Sequence, residues 1–262
     1  MAEQKQLLVD ERRAAIMTIL DREGSVQVAE LSDLLGASKV TIRTDLDALN
    51  RAGKLRRTHG GAVSLSRRVT VSLQDRRVNV NAAAKRSIGL LAATLVPDGA
   101  SIFVDSGTTA LELVRSLETR NDITIITTDL TIADYVDRSL PRADVILLGG
   151  MLRKAHRYTA GPIAFRVLEG LRPDISFVCP TGYALGVGLM TNHLEMGEMK
   201  RRAMHCSPLT YVLFDASKIN ASCLVKFGTL EEADGVVMDR DPGGVIAAEL
   251  GDGAGRLMLA EG

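Results

Sequence analysis

Residues 36–63 decide the fold of the first part of this chain, and they read GASKVTIRTDLDALNRAGKLRRTHGGAV. Ser38 is a good N-cap for a helix over 39–52, because its hydroxyl can accept a hydrogen bond from an otherwise unpaired first-turn N–H group. The apolar residues of this helix recur at i, i+4 and i+7, and they are Ile42, Leu46 and Leu49. A basic hairpin with a glycine tip follows over 54–63. A turn, an amphipathic helix and such a hairpin, in this order, predict a winged helix-turn-helix.

Two shorter helical patterns precede this stretch. The apolar residues of the first are Ile16, Ile19 and Leu20. Those of the second, which we place on one face, are Val28, Leu31, Leu34 and Leu35. The spacing is helical in both, so the predicted unit has three helices before its hairpin.

The polar face of the third helix and the hairpin carry the candidate DNA contacts. In the helix, the residues expected to position the domain on an operator or to read its bases are Ser38, Lys39, Val40, Thr41, Arg43 and Thr44. In the hairpin, the residues expected to hold the DNA backbone are Arg56, Arg57 and His59. Val40 is an apolar residue on a polar face, which fits contact with a thymine methyl group. The alternative is a single exposed valine, which is common on protein surfaces.

The distribution of charge supports this interpretation. The 262-residue chain has 32 basic and 32 acidic residues, so its net charge is zero. Residues 36–68, however, hold eight basic and two acidic side chains, a local charge of +6. Binding to phosphates depends on local positive potential, so we expect double-stranded DNA as a partner. The alternative for such an arginine-rich run is a merely solvated basic surface.

These residues carry a resemblance to a known family. Residues 9–64 resemble the N-terminal domain of the DeoR family of bacterial transcriptional regulators, through Thr41-Ile-Arg-Thr-Asp-Leu46 and His59-Gly-Gly-Ala62. The family usually has a second arginine where this chain has Thr44, a change that affects base preference or removes a phosphate contact. The similarity continues to about residue 239. Operators are typically two-fold or repeated, and one small DNA-reading domain gives limited affinity, so we expect a homo-oligomer, either a dimer or a tetramer.

Length and composition indicate two domains. We predict a winged helix-turn-helix over 1–64, a polar linker over 65–81, and an effector-sensing and oligomerisation domain over 82–262. The three cysteines have no paired spacing and are expected to be reduced, as in a cytoplasmic protein. The sequence has no signal-peptide pattern and no apolar run of membrane-spanning length, so neither export nor membrane association is expected.

In the second domain, short aliphatic runs alternate with helical segments. The predicted strands are 101–105, 123–127, 145–148, 175–178 and 210–214, with helices such as 110–117 and 132–138 between them. This alternation predicts an open, mostly parallel α/β sheet with helices on both faces. Ligands of such sheets bind beyond the carboxyl ends of the strands.

The residues at those strand ends form a candidate phosphate site. The first strand ends at Asp105, and Ser106-Gly-Thr-Thr109 then opens a helix, where hydroxyls and backbone N–H groups can bind a phosphate. A Ser/Thr N-cap without a ligand is the alternative. The family resemblance implies a fold similar to ribose-5-phosphate isomerase and glucosamine-6-phosphate deaminase. It also implies a phosphorylated sugar or sugar alcohol as effector, with its phosphate on Ser106, Gly107, Thr108 and Thr109 beside Asp105 and with Lys200 and Lys218 as secondary candidates.

Catalysis is the main rival to sensing, since the resemblance includes enzymes. The isomerase has an Asp-Gly-Ala-Asp loop, whereas Thr181-Gly-Tyr-Ala184 here has no carboxylate to serve as a base. The histidines and cysteines show no metal-ligand spacing, and no nucleotide-binding loop is present. We therefore predict no catalytic residue, metal or cofactor. The predicted function is a repressor of a carbohydrate-catabolic operon, and the alternatives are an isomerase- or deaminase-like enzyme with a DNA-binding domain, or an architectural protein without effector.

Overall fold

The computed structural model describes residues 9–23, 25–58, 60–64, 80–154, 156–221 and 223–260. The chain forms two compact units, Met1–Val71 and Ser72–Gly262. His59 and most of the linker predicted over 65–81 lie outside the described residues.

The first unit is a winged helix-turn-helix, as predicted. Its elements are α1 (Val9–Glu23), β1 (Ser25–Gln27), α2 (Val28–Leu35), α3 (Lys39–Arg51), β2 (Leu55–Arg57) and β3 (Gly61–Ser64). The strands form an antiparallel sheet in the order β1-β3-β2. Gly61 lies opposite Gln27, and a Cβ atom here would overlap the carbonyl of Val26. Glycine is therefore required for β3 to pair this closely with β1.

The core of this unit is aliphatic. The three residues of the α3 stripe are buried together with residues of the other elements, including Ile16, Leu20, Leu31 and Leu55. The placement of Leu34 in this core is wrong, because its side chain is 65% exposed. Leu34 lies about 60° or more around the helix from Val28, Leu31 and Leu35, and α2 is too short to bury so wide a face.

The second unit is the predicted α/β domain. Its helices are α4 (Ala82–Ala93), α5 (Thr108–Arg115), α6 (Leu130–Ser139), α7 (Pro162–Glu169), α8 (Leu194–Ala203) and α9 (Val245–Leu250). Its strands are β4 (Ser101–Val104), β5 (Ile123–Thr127), β6 (Ala143–Leu147), β7 (Met151–Arg153), β8 (Tyr158–Ala160), β9 (Ile175–Val178), β10 (Gly182–Ala184), β11 (Gly188–Thr191), β12 (Leu209–Leu213), β13 (Val225–Gly228), β14 (Gly235–Met238) and β15 (Leu257–Leu259).

Seven of these strands form one parallel sheet in the order β15-β14-β12-β9-β4-β5-β6. The predicted fold class is therefore confirmed. Two small antiparallel sheets, β7-β8 and β10-β11-β13, are added to it. The segment after residue 239, which the sequence pattern leaves unassigned, supplies α9 and the edge strand β15.

Apolar clusters lie on both faces of the parallel sheet. Phe103 packs in one cluster with residues of α7 and α8, whereas its neighbours Ile102 and Val104 pack in the other with residues of α4 and α5. On the second face, α4 and α5 approach closely at Gly89. A Cβ atom on Gly89 would lie 2.6 Å from the backbone carbonyl carbon of Glu112 in α5, so no larger residue fits.

Strand order places a crevice at the centre of the sheet. From β4, the chain first adds β5 and β6 on one side and then returns to place β9 on the other side. The connections therefore diverge between β4 and β9. The carboxyl ends of strands at such a switch point are where open α/β sheets bind ligands.

Candidate functional site

The outer face of α3 presents most of the predicted DNA contacts to solvent. Ser38 caps the helix as expected, since its hydroxyl accepts a hydrogen bond from the backbone N–H of Thr41 at 3.1 Å. Thr41 itself is half-buried. The remaining predicted residues of this face are exposed: Ser38, Lys39, Val40, Arg43 and Thr44. The Val40 side chain is 69% exposed, and the Thr44 hydroxyl donates to the carbonyl of Val40 at 3.0 Å.

The β2–β3 hairpin, which we call the wing, is attached to α3 through Arg57. The Nε atom of Arg57 lies 2.7 Å from a carboxylate oxygen of Asp47, and a terminal nitrogen donates to the carbonyl of Gly61 at 2.6 Å. Its backbone N–H donates to the side-chain oxygen of Asn50 at 3.2 Å. Arg57 therefore fixes the hairpin against the helix, a role that the sequence pattern did not predict. The side chains of Arg56 and His59 lie outside the described residues.

Asp45 is one of the two acidic residues in the local charge of 36–68, and its burial could not be read from that count. It is 2% exposed and accepts hydrogen bonds from Nε of Arg12 at 2.6 Å and Nε of Arg13 at 2.9 Å. Its position beside Leu46 of the apolar stripe was the available signal. Because this carboxylate is buried and paired, it subtracts little from the positive potential of the exposed face.

A cavity of about 200 Å³ lies at the carboxyl ends of β4 and β9. The loop from Ser106 to Thr109 forms one wall, and residues around Thr181 and Asn192 form another. The described residues that line it include no aspartate or glutamate. Five residues with basic or titratable nitrogen atoms line it, namely Lys85, His156, His193, Lys200 and Lys218. The wall is therefore suited to an anion and not to a cation.

Two carboxylates accept hydrogen bonds from the backbone of the loop after β4. Asp105 accepts a hydrogen bond from the backbone N–H of Ser106 at 2.8 Å, and Asp129 accepts one from that of Gly107 at 3.2 Å. Two of the four N–H groups expected to bind phosphate are thus already used. Those of Thr108 and Thr109 belong to the first turn of α5, where helix geometry provides no intrahelical acceptor. Gly107 has a φ of 142°, a backbone conformation that favours glycine.

Asp105 and Lys200 form a buried pair behind this loop. Asp105 is fully buried, accepts a hydrogen bond from the backbone N–H of Cys179 at 2.8 Å, and forms an ion pair with the Lys200 ammonium group. Lys200 also donates to the carbonyl of Cys179 at 2.7 Å. These contacts join β4 to β9 across the switch point. Asp105 does not line the cavity, whereas Lys200 does.

The same pair affects Cys179. Burial, together with the negative charge of Asp105, raises the pKa of the Cys179 thiol to about 12. The thiol is therefore protonated at neutral pH, which argues against a nucleophilic role for Cys179.

Lys218 approaches the cavity from a separate turn, Ala216–Lys218. Asp215 caps this turn and accepts hydrogen bonds from the backbone N–H of Ser217 and from the side-chain amide of Asn81, each at 3.0 Å. Burial opposes ionisation of Asp215, but the Ser217 hydroxyl, the charge of Lys218 and the Asn81 amide outweigh it, and the pKa is lowered. The turn is thereby fixed with Lys218 at the cavity.

Two histidines in the wall were not predicted as site residues. His156 lies between β7 and β8, and His193 precedes α8; their rings pack edge to face with centroids 5.0 Å apart. The sequence pattern shows no metal-ligand spacing for either of these two histidines. The described residues contain no group of three or more possible metal ligands. The available signal was that His193 follows the end of β11, since strand ends border this crevice.

Two protein-family models match this chain. Residues 12–68 match the model of the DeoR-like helix-turn-helix domain, and residues 80–240 match that of the DeoR C terminal sensor domain. The chain belongs to the DeoR family. The resemblance inferred from the two sequence motifs is thus confirmed.

Curated members of the DeoR family are similar along most of this chain. A relative from Escherichia coli, whose name assigns it to repression of the aga operon, is 32% identical over 87% of this chain and 86% of its own length. The regulator GolR of Listeria innocua is 29% identical over 96% of this chain and 98% of its own. The repressor GlcR of Bacillus subtilis is 27% identical over 96% of each chain.

Solved structures resemble this DeoR-family chain more distantly. Ribose 5-phosphate isomerase A from Methanocaldococcus jannaschii has a TM-score of 0.40 and 18% identity over 53% of this chain and 55% of its own. The eIF2B delta subunit from Chaetomium thermophilum has a TM-score of 0.44 and 14% identity over 62% of this chain and 58% of its own. This chain thus spans little more than half the length of either protein. Among the described residues, no helix is long and apolar enough to cross a bilayer.

Proposed function

We propose that this DeoR-family regulator represses a carbohydrate-catabolic operon and is released from its operator by a phosphorylated sugar or sugar alcohol. The observation that carries the effector class is the composition of the cavity wall: several basic side chains and no carboxylate among the described residues. A phosphate group carries about −1.5 to −2 charges at neutral pH and provides several hydrogen-bond acceptors. Such a group complements the positive charge of this wall. A cation would be repelled by that charge, and an uncharged sugar would not interact with it.

The phosphate binds at the start of α5. Thr108 and Thr109 line the cavity at the first turn of α5, where backbone N–H groups without an intrahelical acceptor, hydroxyls and the helix dipole favour an anion. Ser106 contributes its hydroxyl, and Lys218 contributes a positive charge from the neighbouring turn. Asp105 acts indirectly, because its carboxylate holds both the Ser106 N–H and the Lys200 ammonium group. We therefore assign Asp105 a positioning role and not a contact with the phosphate.

The sugar portion faces the opposite wall. Thr181, Asn192 and His193 line the cavity there and offer hydroxyl, amide and imidazole groups to sugar hydroxyls. Sites that hydrogen-bond each hydroxyl of a ligand reject analogues that lack one, because a buried polar group is then left unpaired. These three residues are accordingly the ones that select among sugars.

The DNA end of the proposal uses the exposed face of α3. Arg43 lies among exposed polar side chains on that face, and Arg57 fixes the wing that follows it. This chain has Thr44 where the family usually has a long cationic side chain, and the Thr44 hydroxyl donates to the carbonyl of Val40 in its own helix. We assign the contact with base edges to Lys39, Val40 and Arg43.

We propose that the second domain binds its ligand without turning it over. Aldose–ketose isomerisation needs a base beside the reacting C–H bond, and a carboxylate supplies it in the related fold. In the part of the cavity wall that the structure describes, no carboxylate is present, and Asp105 is occupied behind the wall. The curated relatives compared above are named as regulators, which agrees with this proposal.

The effector proposal is tested by thermal unfolding of the full chain. Inorganic phosphate and a panel of sugar phosphates are compared with the same sugars lacking phosphate. A ligand that binds only the folded state stabilises it by about 2.7 kcal/mol at a concentration of 100 Kd. We expect stabilisation by one or more sugar phosphates and release of the chain's own upstream DNA at the same concentrations.

Lys218→Ala is expected to weaken this response, whereas Lys154→Ala, which removes an exposed lysine outside the cavity, is a matched control. Equal responses to phosphorylated and unphosphorylated sugars would contradict the proposed effector class. Conversion of a sugar phosphate by the purified protein would favour the enzyme instead.

A further inference from the structure

Lys85 of α4 is a buried basic residue in the wall of the cavity. It is 4% exposed, and it lines the cavity together with Lys200 and Lys218. Lys200 is paired with Asp105 behind the wall, and Lys218 is only half-buried in its turn. Burial of an ammonium group is costly unless acceptors replace the water around it. A buried lysine at the wall of a cavity therefore favours an anion in that cavity.

The packing of α4 against α5 places Lys85 beside the proposed phosphate site. Helix α4 precedes β4 and α5 follows it, and both pack on the same face of the sheet, so the two helices run in the same direction. They touch at Gly89 and Glu112. One turn earlier in each helix lie Lys85 and Thr108, and both of these residues line the cavity. Lys85 and the first turn of α5 therefore border the same part of the cavity.

Lys85 is also connected to the segment through which the chain enters this domain. Its ammonium group donates a hydrogen bond to the backbone carbonyl of Val80 at 2.6 Å. Val80 lines the same cavity and is the first described residue after Ser64, so it follows the linker from the DNA-binding domain. An ammonium group has three N–H donors, so it can hold this carbonyl and a phosphate oxygen together.

We propose that Lys85 binds the effector phosphate and, through the Val80 carbonyl, passes ligand occupancy to the linker. A charged phosphate oxygen is a stronger acceptor than a carbonyl, so a bound phosphate fixes the ammonium group and with it Val80. The ligand thereby stabilises one conformation of the entry segment over others, which is the differential affinity that coupling to DNA requires. The inference rests on the proposed function for the class of effector and for DNA release.

Inorganic phosphate tests the binding step. Thermal unfolding of the full chain is followed as phosphate replaces chloride at constant ionic strength. Lys85→Met should weaken phosphate binding about tenfold or more, because a hydrogen bond to a charged acceptor is lost. Arg86→Met, which removes an exposed charge from the same turn of α4, is the matched control and should bind phosphate as the wild type does.

Lys85→Gln provides a second variant, since it removes the charge but keeps an N–H donor, and its affinity should lie between those of the wild type and Lys85→Met. Stabilisation by phosphate that is absent from the wild type, or equal in the wild type and Lys85→Met, would overturn the proposal.

Hydrogen exchange tests the connection to Val80. The backbone N–H of Lys85 donates to the carbonyl of Asn81 at 3.1 Å, so exchange in a peptide covering residues 80–85 reports on this turn. Phosphate should slow that exchange in the wild type and in Arg86→Met, but not in Lys85→Met. A lysine with a purely structural role would change exchange equally with and without phosphate, and that result would reject the inference.

DNA release separates this inference from the proposed function. If sugar phosphates release the upstream DNA from Lys85→Met as readily as from the wild type, coupling through Lys85 is wrong and the proposed function stands. If no sugar phosphate releases the wild type, the proposed function fails. Protection of residues 80–85 by phosphate that is lost in Lys85→Met would still support the role of Lys85.

Discussion

Two buried carboxylates, Asp45 and Asp105, show how single residues support each site without contacting its ligand. Asp45 joins α1 to α3 through two arginines, and Asp105 joins β4 to β9 through Lys200. A carboxylate removed from water is stable only when paired, and loss of one partner leaves a buried charge uncompensated. Both residues therefore position the elements that hold the functional side chains.

Asp45→Asn should destabilise the DNA-binding domain by several times more than Asp47→Asn. Asp45 is buried in its ion pairs, and breaking such pairs costs about 3–5 kcal/mol. The side chain of Asp47 is 55% exposed, and exposed pairs contribute about 0–1 kcal/mol. Urea unfolding followed by circular dichroism measures both. Equal losses for the two variants would show that burial of Asp45 is not energetically important.

Cys179 should resist thiol reagents in the folded protein. A thiol with a pKa of about 12 has on the order of one thiolate in 10⁴ molecules at pH 8, and burial also prevents access. Labelling with a chromogenic disulfide should modify Cys179 only after unfolding, as mass spectrometry of the labelled peptides would reveal. Cys179→Ser serves as the control that assigns the slow thiol, and fast labelling of the native chain would contradict the buried site.

At the scale of elements, the wing and α3 act as one surface because Arg57 connects them. Its contacts with Asp47 and Gly61 fix the hairpin, while the guanidinium group remains partly exposed at the face. Arg43, in contrast, is exposed and contributes charge without any described contact to the wing. The two arginines should therefore affect DNA binding in different ways.

Arg43→Ala should weaken binding to the chain's upstream DNA by about 1–3 kcal/mol, the loss of one base contact, and the loss of its positive charge should also reduce the slope of log K against log salt. Arg57→Ala should reduce binding further, because the wing also loses its attachment. Affinity measured from 50 to 200 mM salt checks this, with Arg138→Ala in the second domain as control. If neither slope nor affinity changes, α3 and the wing do not form the DNA-binding surface.

At the scale of the whole molecule, ionised carboxylates connect distant segments of the second domain. Hydrogen bonds from Asn121 lower the pKa of Asp98, and hydrogen bonds from Ser101 lower that of Asp174. Asp215, whose pKa is also lowered, binds Asn81 at the start of the domain to the turn that carries Lys218. These contacts depend on the charged form of each carboxylate.

The unfolding free energy should therefore decrease in acid. When the folded-state pKa of a carboxylate lies below its unfolded value of about 3.9, the stability that it contributes is fully present above the unfolded pKa. This stability is lost as the pH falls through the folded pKa. The urea midpoint should thus fall from pH 5 toward pH 2. Asp215→Asn should flatten the decrease, whereas Asp252→Asn, an exposed carboxylate of the C-terminal turn, should not. A midpoint that rises in acid would contradict the sign.

The sequence predicted those features that depend on local pattern. The α3 stripe, the Ser38 cap and the alternating strands follow from periodicity and chain geometry, and they were predicted correctly. Burial of Asp45, attachment of the wing by Arg57, and the location of His156 and His193 depend on contacts between residues far apart in sequence. Periodicity contains no information about such contacts. Leu34 was misplaced because a local pattern cannot show how wide a face its neighbours will cover.

The contact at Gly89 has a consequence for how ligand occupancy is communicated. Helix α4 is the first described helix after the linker region, and it touches the backbone of α5, whose opening turn forms the proposed phosphate site. With no side chain between them, the two helix backbones lie in direct contact. Because no larger side chain fits at position 89, a bulkier residue there would force α4 and α5 apart, and it would disturb both the proposed phosphate site and the point where the chain enters this domain.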